Sequence, residues 1–201
     1  KLFSSLTEGS LKDTMDIYTA FVSNNTLDQF YERIMTPVMA EIGYLWSDGK
    51  LSIATEHVAS NIAHSLVKVI TDNNQKSKKD KGKIILTTPV GEDHNLGCNV
   101  LDSFLVSKGF ITFNLSPSTP AEALIDFIKT AKPDALIVSI TLEDSIRSGQ
   151  RIVRKVHEAN KKLPIFIGGL AFSEKTKFKF DGKLITDAHA LEHIPRIIKK
   201  K

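Results

Sequence analysis

From residue 83 onward, the chain alternates strand-like and helix-like stretches five times. The strand-like runs are short and rich in aliphatic and β-branched residues: KIILTTPV, FITFNLS, DALIVSIT, LPIFIGG and KLITD. Between and after them lie helix-like stretches at residues 96–108, 120–131, 143–160 and 188–199. Apolar runs of this length are typical of strands that are buried on both faces. The alternation therefore predicts an α/β domain with a five-stranded, parallel, doubly wound sheet, whose ligands bind in loops at the carboxyl ends of the strands.

Residues 1–72 have a different pattern, because every apolar repeat in them has the spacing of a helix. LKDTMDIYTAFV carries apolar residues at every third or fourth position. Thr26 and Gln29 have the spacing of a capping box, and Pro37 is expected to bend the helix that follows. Ser52 is a candidate cap for the next helix. Three or four helices with short connections predict an antiparallel helical bundle.

The lysine-rich segment KSKKDKGK lies where the two patterns meet. We interpret it as a linker rather than a nucleic-acid-binding patch, because it adjoins a polar TDNNQ stretch and the net charge is only +4. The predicted organisation is a helical-bundle cap domain over residues 1–75, a linker over 76–83 and a sheet domain over 84–201.

Composition excludes several classes of protein. The apolar fraction of 41% and the charged fraction of 25% are those of a globular domain. No run approaches the roughly 20 apolar residues of a membrane span, and no leader pattern opens the chain, so we expect a cytoplasmic location and no membrane partner. Cys98 is the one cysteine, which excludes an internal disulfide and cysteine-rich metal sites. Its place at a helix start fits either a stabilised thiolate or a small buried side chain.

The loop after the first strand, TPVGEDHNLGCNV, contains the strongest candidate for chemistry. His94 follows the strand, with Glu92 two residues before it, Asp93 between them, and Gly97 three residues after it at the start of a helix. A histidine in this position can give one ring nitrogen to a metal while the other donates to a carboxylate. The alternative is an ordinary solvent-exposed loop histidine.

Two further loops place polar or small residues at the same predicted edge. The third strand ends in VSIT, which puts the hydroxyls of Ser139 and Thr141 on one side of the strand. The fourth strand ends in Gly168 and Gly169, where a flat group can lie against bare backbone. Each feature is common by itself, but three such loops on one edge indicate a ligand site.

These three loops resemble cobalamin-binding domains, such as those of methionine synthase and the corrinoid methyl carriers. The matching residues are Glu92-x-His94-x-x-Gly97, Ser139-x-Thr141 and Gly168-Gly169. The resemblance implies a Rossmann-like, flavodoxin-like sheet in which His94 is the lower cobalt ligand. It also implies that the displaced nucleotide tail of the cofactor inserts past the serine and between the glycines. The first acid of this motif is more often Asp, so Glu92 is a conservative departure with a longer arm.

A second motif lies in the helical part. Trp46, nine intervening residues, and then Glu56-His57 resemble the pattern of CarH-type photoreceptors, which bind adenosylcobalamin in the dark. The resemblance implies that the indole covers the upper ligand of the cofactor and that Glu56 and His57 lie near its adenosyl group. The alternative is that Trp46 belongs to the core and that Glu56-His57 is an exposed helix surface. The photoreceptors carry a histidine directly after the tryptophan, where this chain has Ser47.

The resemblance leads to a sensor as the first hypothesis: a light-responsive adenosylcobalamin module, not an enzyme, that controls an attached or partner regulator. DNA is expected as a partner only through a domain outside these 201 residues, and a homo-oligomer is possible. The second hypothesis is a corrinoid protein that carries methyl groups between methyltransferases and binds methylcobalamin. It would need His94, Ser139 and the glycines, but not the trio of Trp46, Glu56 and His57. A cobalamin storage or delivery protein is a third hypothesis.

Overall fold

The computed structural model describes residues 1–74, 81–172 and 182–185. The chain divides into two compact units, Lys1–Lys76 and Ser77–Lys201. The predicted last helix, at residues 188–199, and most of the predicted linker lie outside the described residues. No helix in the described ranges combines the length and the apolar character that a membrane crossing requires.

The first unit is helical, as predicted. Its helices are α1 (Leu2–Thr7), α2 (Leu11–Val22), α3 (Leu27–Phe30), α4 (Thr36–Ser47) and α5 (Ile53–Asn74). The starts of α3 and α5 carry side-chain caps that the sequence predicted. The Thr26 side chain accepts from the Gln29 amide, and the Gln29 side chain accepts from the Thr26 amide in return. Ser52 Oγ accepts from the Thr55 amide at 3.1 Å at the start of α5.

The bend expected at Pro37 takes the form of a π-helical turn. Residues Tyr31–Met35 form this wider turn between α3 and α4, and Pro37 lies in the first turn of α4. Proline has no amide hydrogen, and its ring crowds the carbonyl four residues earlier, so a regular α-helical ladder cannot continue through it. The π-helical turn takes up this mismatch within one continuous helical segment.

The core of the helical unit is formed by aliphatic and aromatic residues of α1, α3, α4, α5 and the π-helical turn. The buried members are Leu2, Leu6, Phe30, Tyr31, Met35, Ile42, Ala59, Ala63, Leu66, Val67 and Ile70. Phe30 lies at its centre, with the ring of Tyr18 against it edge-on at 5.0 Å between centroids. The last turn of α4 and the first turn of α5 lie outside this core, and the second sequence motif is found there.

The second unit has the predicted α/β fold. Its strands are β1 (Lys83–Thr87), β2 (Ile111–Asn114), β3 (Ala135–Ser139), β4 (Ile165–Gly168) and β5 (Lys183–Ile185). Its helices are α6 (Leu96–Ser107), α7 (Ala121–Ala131) and α8 (Ile146–Ala159), the last preceded by a 3₁₀ turn at Glu143–Ser145. All strand pairs are parallel, in the order β2-β1-β3-β4-β5. The predicted five-stranded parallel sheet is therefore confirmed.

Alternate residues of each strand belong to separate hydrophobic cores on the two faces of the sheet. On β1, Ile84 and Leu86 join the core that includes Phe104 of α6, whereas Ile85 joins the core beneath α7 and α8. The register pairs Thr87 with Val138 and Ser139 with Gly168. Strands β1, β3 and β4 therefore end at one level, and the loops that follow them share one edge of the sheet.

Candidate functional site

The candidate metal ligand and its acidic neighbour are in direct contact. Glu92 Oε1 lies 2.7 Å from His94 Nδ1 and also accepts from the His94 backbone amide at 3.1 Å. The Glu92 side chain is fully buried, whereas 53% of the His94 side chain is exposed. The longer arm of glutamate thus reaches the imidazole, as predicted.

The other carboxylate oxygen of Glu92 bonds to a different loop. Glu92 Oε2 accepts from the backbone amides of Thr141 at 2.9 Å and Leu142 at 2.8 Å, directly after β3. Burial by itself would raise the pKa of Glu92. The hydrogen bonds from the Leu142 amide, the His94 ring and the other two amides outweigh burial and hold the pKa below its ordinary value. Glu92 is therefore a carboxylate at neutral pH.

The ionised carboxylate fixes the tautomer of His94. Because Glu92 can only accept, Nδ1 of His94 carries the hydrogen and donates it. In the neutral imidazole, Nε2 then holds the free lone pair, on a side chain that is half exposed at the edge of the sheet. This arrangement, a carboxylate behind a histidine, is the one that orients metal-binding imidazoles and raises their basicity.

The loop that carries His94 is held by a network that the sequence did not reveal. Thr88 Oγ1 donates to the Glu92 carbonyl at 2.8 Å and accepts from the Ser118 amide at 2.8 Å. Ser118 Oγ in turn accepts from the Gly91 amide at 3.1 Å. A buried threonine directly after a strand is the only sequence feature that could have suggested this role. The network fixes the loop after β1 against the loop after β2.

Ser139, the last residue of β3, lies close to Gly97 in the first turn of α6. A Cβ atom added at Gly97 would lie 3.2 Å from Ser139 Oγ, so glycine allows this approach. Ser139 itself is buried. Next to Gly97, Cys98 is also buried, and burial raises the pKa of its thiol to about 12. Cys98 is therefore the small buried side chain of the two alternatives, and not a stabilised thiolate.

The other predicted residues of this edge contribute mainly through their backbone. Thr141 donates its backbone amide to Glu92, and the contact of its hydroxyl with a ligand stays a prediction. Gly169 has φ +121°, and a Cβ atom there would lie 2.1 Å from the Ile140 carbonyl oxygen, so only glycine fits. Gly168 is paired with Ser139 across the sheet. Asp93 is exposed between Glu92 and His94.

In the helical unit, the indole of Trp46 is 43% exposed at the end of α4. The alternative in which Trp46 belongs to the core is therefore wrong. Three other large apolar side chains of this unit are also exposed: Tyr44, Ile53 and Val58. They lie on the last turns of α4 and the first turns of α5, the same segments that carry Trp46 and the Glu56-His57 pair. Exposed apolar groups gathered in this way are typical of a binding surface.

Glu56 and His57 interact with each other and with their own helix. Glu56 Oε2 lies 2.8 Å from His57 Nδ1, and Ser60 Oγ donates to Glu56 Oε1 at 2.6 Å. The His57 side chain is 66% exposed and that of Glu56 is 22% exposed. Ser47 Oγ donates to the Tyr44 carbonyl at 2.8 Å. The partners of these groups are thus all within four residues along the chain.

His64 lies further along α5. Burial lowers its pKa, and the negative charge of Glu56 acts in the opposite direction. Burial is the stronger of the two, so His64 is neutral at pH 7.

A single imidazole suits a metal whose other ligands come from a macrocycle. Within the described ranges, no three or more His, Cys, Asp or Glu side chains converge to hold a bare ion. Cobalt in a corrin ring needs only an axial ligand from the protein, and neutral imidazole is a suitable donor for it. The donor set of this edge therefore fits a corrinoid.

Comparison with known proteins agrees with this geometry. A family model described as a B12 binding domain matches residues 82–193, and a second model with the same description matches residues 1–71. The trimethylamine corrinoid protein of Methanosarcina barkeri is 25% identical over 70% of this chain and 67% of its own length. The HTH-type transcriptional repressor CarA of Myxococcus xanthus is 24% identical over 77% of this chain, which spans about half of the repressor (51%).

A solved structure shares the fold over the whole length of the chain. The monomethylamine corrinoid protein of Methanosarcina barkeri superposes with a TM-score of 0.80 and 15% identity, and the match covers 100% of this chain and 96% of that one. At this identity the likeness concerns the fold alone. It comprises an N-terminal helical region followed by the parallel sheet.

Proposed function

The chain belongs to the B12-binding domain family, and we propose that it is a light-responsive sensor module for adenosylcobalamin. Cobalamin binding follows from the family. The choice of upper ligand and the response to light are the proposed part. The chemistry that the bound cofactor supplies is a cobalt–carbon bond that light can break. His94 would hold the cobalt, Trp46, Glu56 and His57 would cover its upper ligand, and a partner would read the resulting change in the protein.

The Glu92–His94 contact supports the assignment of the lower ligand. The buried carboxylate holds Nδ1–H and leaves Nε2 for cobalt on a half-exposed ring. The same edge of the sheet carries the other residues of the motifs, at the ends of β3 and β4: Ser139, Thr141, Gly168 and Gly169. We propose that the nucleotide tail of the cofactor is received there.

The observation that carries the sensor hypothesis is the exposed indole of Trp46 with the Glu56-His57 pair in the same unit. A flat indole excludes water from a cobalt–carbon bond, and a carboxylate can accept from the hydroxyl or amine groups of an adenosyl ligand. A methyl group offers no such hydrogen bonds. We therefore propose that Trp46, Glu56 and His57 select the adenosyl form.

The direct test is the absorption spectrum of the protein loaded with adenosylcobalamin in the dark, recorded before and after green light. We expect tight binding of adenosylcobalamin, a spectrum with one imidazole nitrogen on cobalt, and a change on illumination. A spectrum that light leaves unchanged, or equal affinity for methylcobalamin, would contradict the sensor proposal.

Ser47 distinguishes this chain from the photoreceptors it resembles. Its hydroxyl is bonded to the Tyr44 carbonyl, and a hydroxyl is a weak metal ligand at neutral pH. His57 is held by Glu56. We therefore propose that illumination does not yield a form with two imidazoles on cobalt. A two-imidazole spectrum that disappears in His57→Ala or His64→Ala would identify a substitute ligand and overturn this proposal.

A methyl-carrying corrinoid protein is the second candidate. The trimethylamine and monomethylamine proteins of Methanosarcina barkeri both carry the words corrinoid protein in their names, and the solved one is matched over 96% of its length. In that case a methyltransferase would act on the bound cofactor, and this chain would carry the methyl group. Preference for methylcobalamin and turnover with a methyltransferase would establish this candidate in place of the sensor.

In either role, we propose that the chain itself is a binding component and not an enzyme. The chain spans about half of the repressor it resembles, so control of DNA through an attached or partner regulator is part of the proposal. Corrinoid-dependent self-association is a further part, and measuring the molar mass of the loaded protein in the dark and in the light tests it.

A further inference from the structure

Ser118, in the loop after β2, has an unusual backbone conformation for a serine. Its φ is +55°, in the left-handed region, where a side chain is strained and glycine is the usual residue. Among the residues that the structure describes, Lys132 is the one other non-glycine residue with a positive φ. Residues with side chains persist in this conformation where the surrounding structure compensates for the strain, often at functional sites. Glycine would fit here without strain, so the side chain of Ser118 must have a use.

The hydroxyl and the amide of Ser118 both bond to the loop after β1. Ser118 Oγ accepts from the Gly91 amide at 3.1 Å, and the Ser118 amide donates to Thr88 Oγ1 at 2.8 Å. The next residue adds a third bond, because the Thr119 amide donates to the Thr88 carbonyl at 3.0 Å. Ser118 therefore bonds to both ends of the segment 88–91.

The bond from Ser118 also directs the hydroxyl of Thr88. The side chain of Thr88 is fully buried, and its Oγ1 accepts from the Ser118 amide. Its own hydrogen is donated to the Glu92 carbonyl at 2.8 Å. The carboxylate of the same residue contacts His94. Two hydrogen bonds in series thus connect Ser118 to the main chain of the acid that orients the imidazole.

We propose that Ser118 is a positioning residue for His94, acting through Thr88 and Gly91 and not through contact with a corrinoid. Displacement of the segment 88–92 would move the Glu92 carboxylate, and with it the imidazole that the carboxylate orients. The role of His94 at cobalt rests on the proposed function. The hold of Ser118 on the Glu92–His94 pair, in contrast, is a property of the chain without cofactor, and it offsets the strain of the left-handed conformation.

A glycine substitution separates positioning from general stability. Ser118→Gly removes the backbone strain and the acceptor of the Gly91 amide together, so the two effects on global unfolding oppose each other. The amides of Thr141 and Leu142 report on the pair, because they donate to the Glu92 carboxylate. We expect them to exchange hydrogen roughly five- to tenfold faster in Ser118→Gly, while the denaturant midpoint changes little.

The loaded protein gives a second measurement. Ser118→Gly should weaken cobalamin binding by roughly three- to tenfold, a smaller loss than changing the direct partner of a metal-binding imidazole causes. The fraction of cofactor with an imidazole nitrogen on cobalt should also fall. The nitrogen splitting in the electron paramagnetic resonance spectrum of the cobalt(II) form measures this fraction.

The experiment compares the unaltered chain with Ser118→Gly, two variants of Thr88 and a matched control. Thr88→Val keeps the shape of the side chain but removes the hydroxyl, so it should loosen the same amides. Thr88→Ser keeps the hydroxyl and should behave as the unaltered chain does. The control is Lys132→Gly, which relieves the other left-handed conformation (φ +50°), at the end of α7 and before the amino end of β3. Denaturant unfolding verifies that each variant folds, and Ser118→Gly decides the test if Thr88→Val does not.

The expected result is faster exchange at Thr141 and Leu142 in Ser118→Gly and Thr88→Val, with unaltered rates in Thr88→Ser and Lys132→Gly. Unchanged exchange at these amides in Ser118→Gly overturns the inference, and so does unchanged cobalamin binding. Equal acceleration throughout the sheet unit also overturns it, because Ser118 would then support the fold in general. If the unaltered chain binds no corrinoid, the proposed function fails, whereas the exchange rates still decide whether Ser118 holds the pair.

Discussion

The edge of the sheet and the exposed end of the helical unit both carry an acid–histidine pair, but the two pairs are supported differently. Glu92 is fully buried and receives amides that lie 49 and 50 residues further along the chain. Among the residues that the structure describes, the Glu56 side chain bonds to the adjacent His57 and to Ser60, one helical turn away. One acid is thus fixed by the tertiary fold and the other by a single helix.

The Glu92–His94 pair is therefore fixed before any ligand binds, whereas a ligand can rearrange the Glu56–His57 pair. Moving Glu92 would leave three backbone amides and an imidazole without an acceptor, at a cost of about 1–3 kcal/mol for each buried group. Moving Glu56 breaks two bonds at a surface where water can replace them. His94, the proposed lower ligand, is therefore preorganised, whereas the side chains proposed to contact the upper ligand are free to adapt.

Replacing the proposed cobalt ligand should give the largest effect. In His94→Ala we expect the absorption features of an imidazole on cobalt to disappear, leaving weak binding or binding with the cofactor's own base in place. Titration with cobalamin and the spectrum of the complex measure this. His157→Ala on α8 is the control and should bind as the unaltered chain does. Retention of both affinity and spectrum in His94→Ala would remove His94 from the site.

Matched glutamine substitutions test the difference between the two acids. Glu92→Gln should weaken cobalamin binding by roughly 10- to 100-fold, because the partner that orients His94 loses its charge. It should also lower the free energy of unfolding of the apo protein by about 1–3 kcal/mol. Glu56→Gln should change that free energy by less than about 0.5 kcal/mol. Denaturant unfolding measures both, and equal losses would mean that the two pairs do not differ as described.

The buried thiol of Cys98 gives the sheet unit a pH dependence of its own. Its pKa is raised from 9.0 to about 12 by burial, so between these values the unfolded chain has lost the proton that the folded chain keeps. Stability should therefore fall as pH rises through this window, by up to about 1.4 kcal/mol per pH unit. Unfolding measured from pH 8 to 11 should show a smaller decline in Cys98→Ala. Identical slopes would show that the thiol is accessible in the folded state.

The smallest effect on stability is expected in the helical unit. Trp46→Ala should change the free energy of unfolding by less than about 0.5 kcal/mol, since the indole lies outside the core. It should nevertheless abolish the preference for adenosylcobalamin over methylcobalamin while corrinoid is still bound. Calorimetric titration with both cofactors measures the preference, and Thr19→Ala, at an exposed position of α2, is the control. A preference that survives in Trp46→Ala would show that the indole does not cover the upper ligand.

The parts of the molecule that the sequence predicted are those with short-range causes. Helix caps such as Thr26 with Gln29, the strand–helix alternation and the contact between Glu92 and His94 all involve residues close in sequence. The amides of Thr141 and Leu142 that hold Glu92, and the network of Thr88 with Ser118, join distant loops through atoms that every residue possesses. Every residue except proline has a backbone amide, so residue types do not show which amides bind Glu92. These contacts could be found only from the structure.

The loops after β1 and β3 are joined through main-chain amides and Glu92, and this has a consequence for how the domain can evolve. Main-chain groups and Glu92 hold these loops in place, whereas the side chains of Val90 and Leu142 are exposed on the loops. Exposed positions tolerate substitution with little change in stability. The exposed residues of these loops can therefore diversify while the hydrogen bonds that hold the loops stay the same.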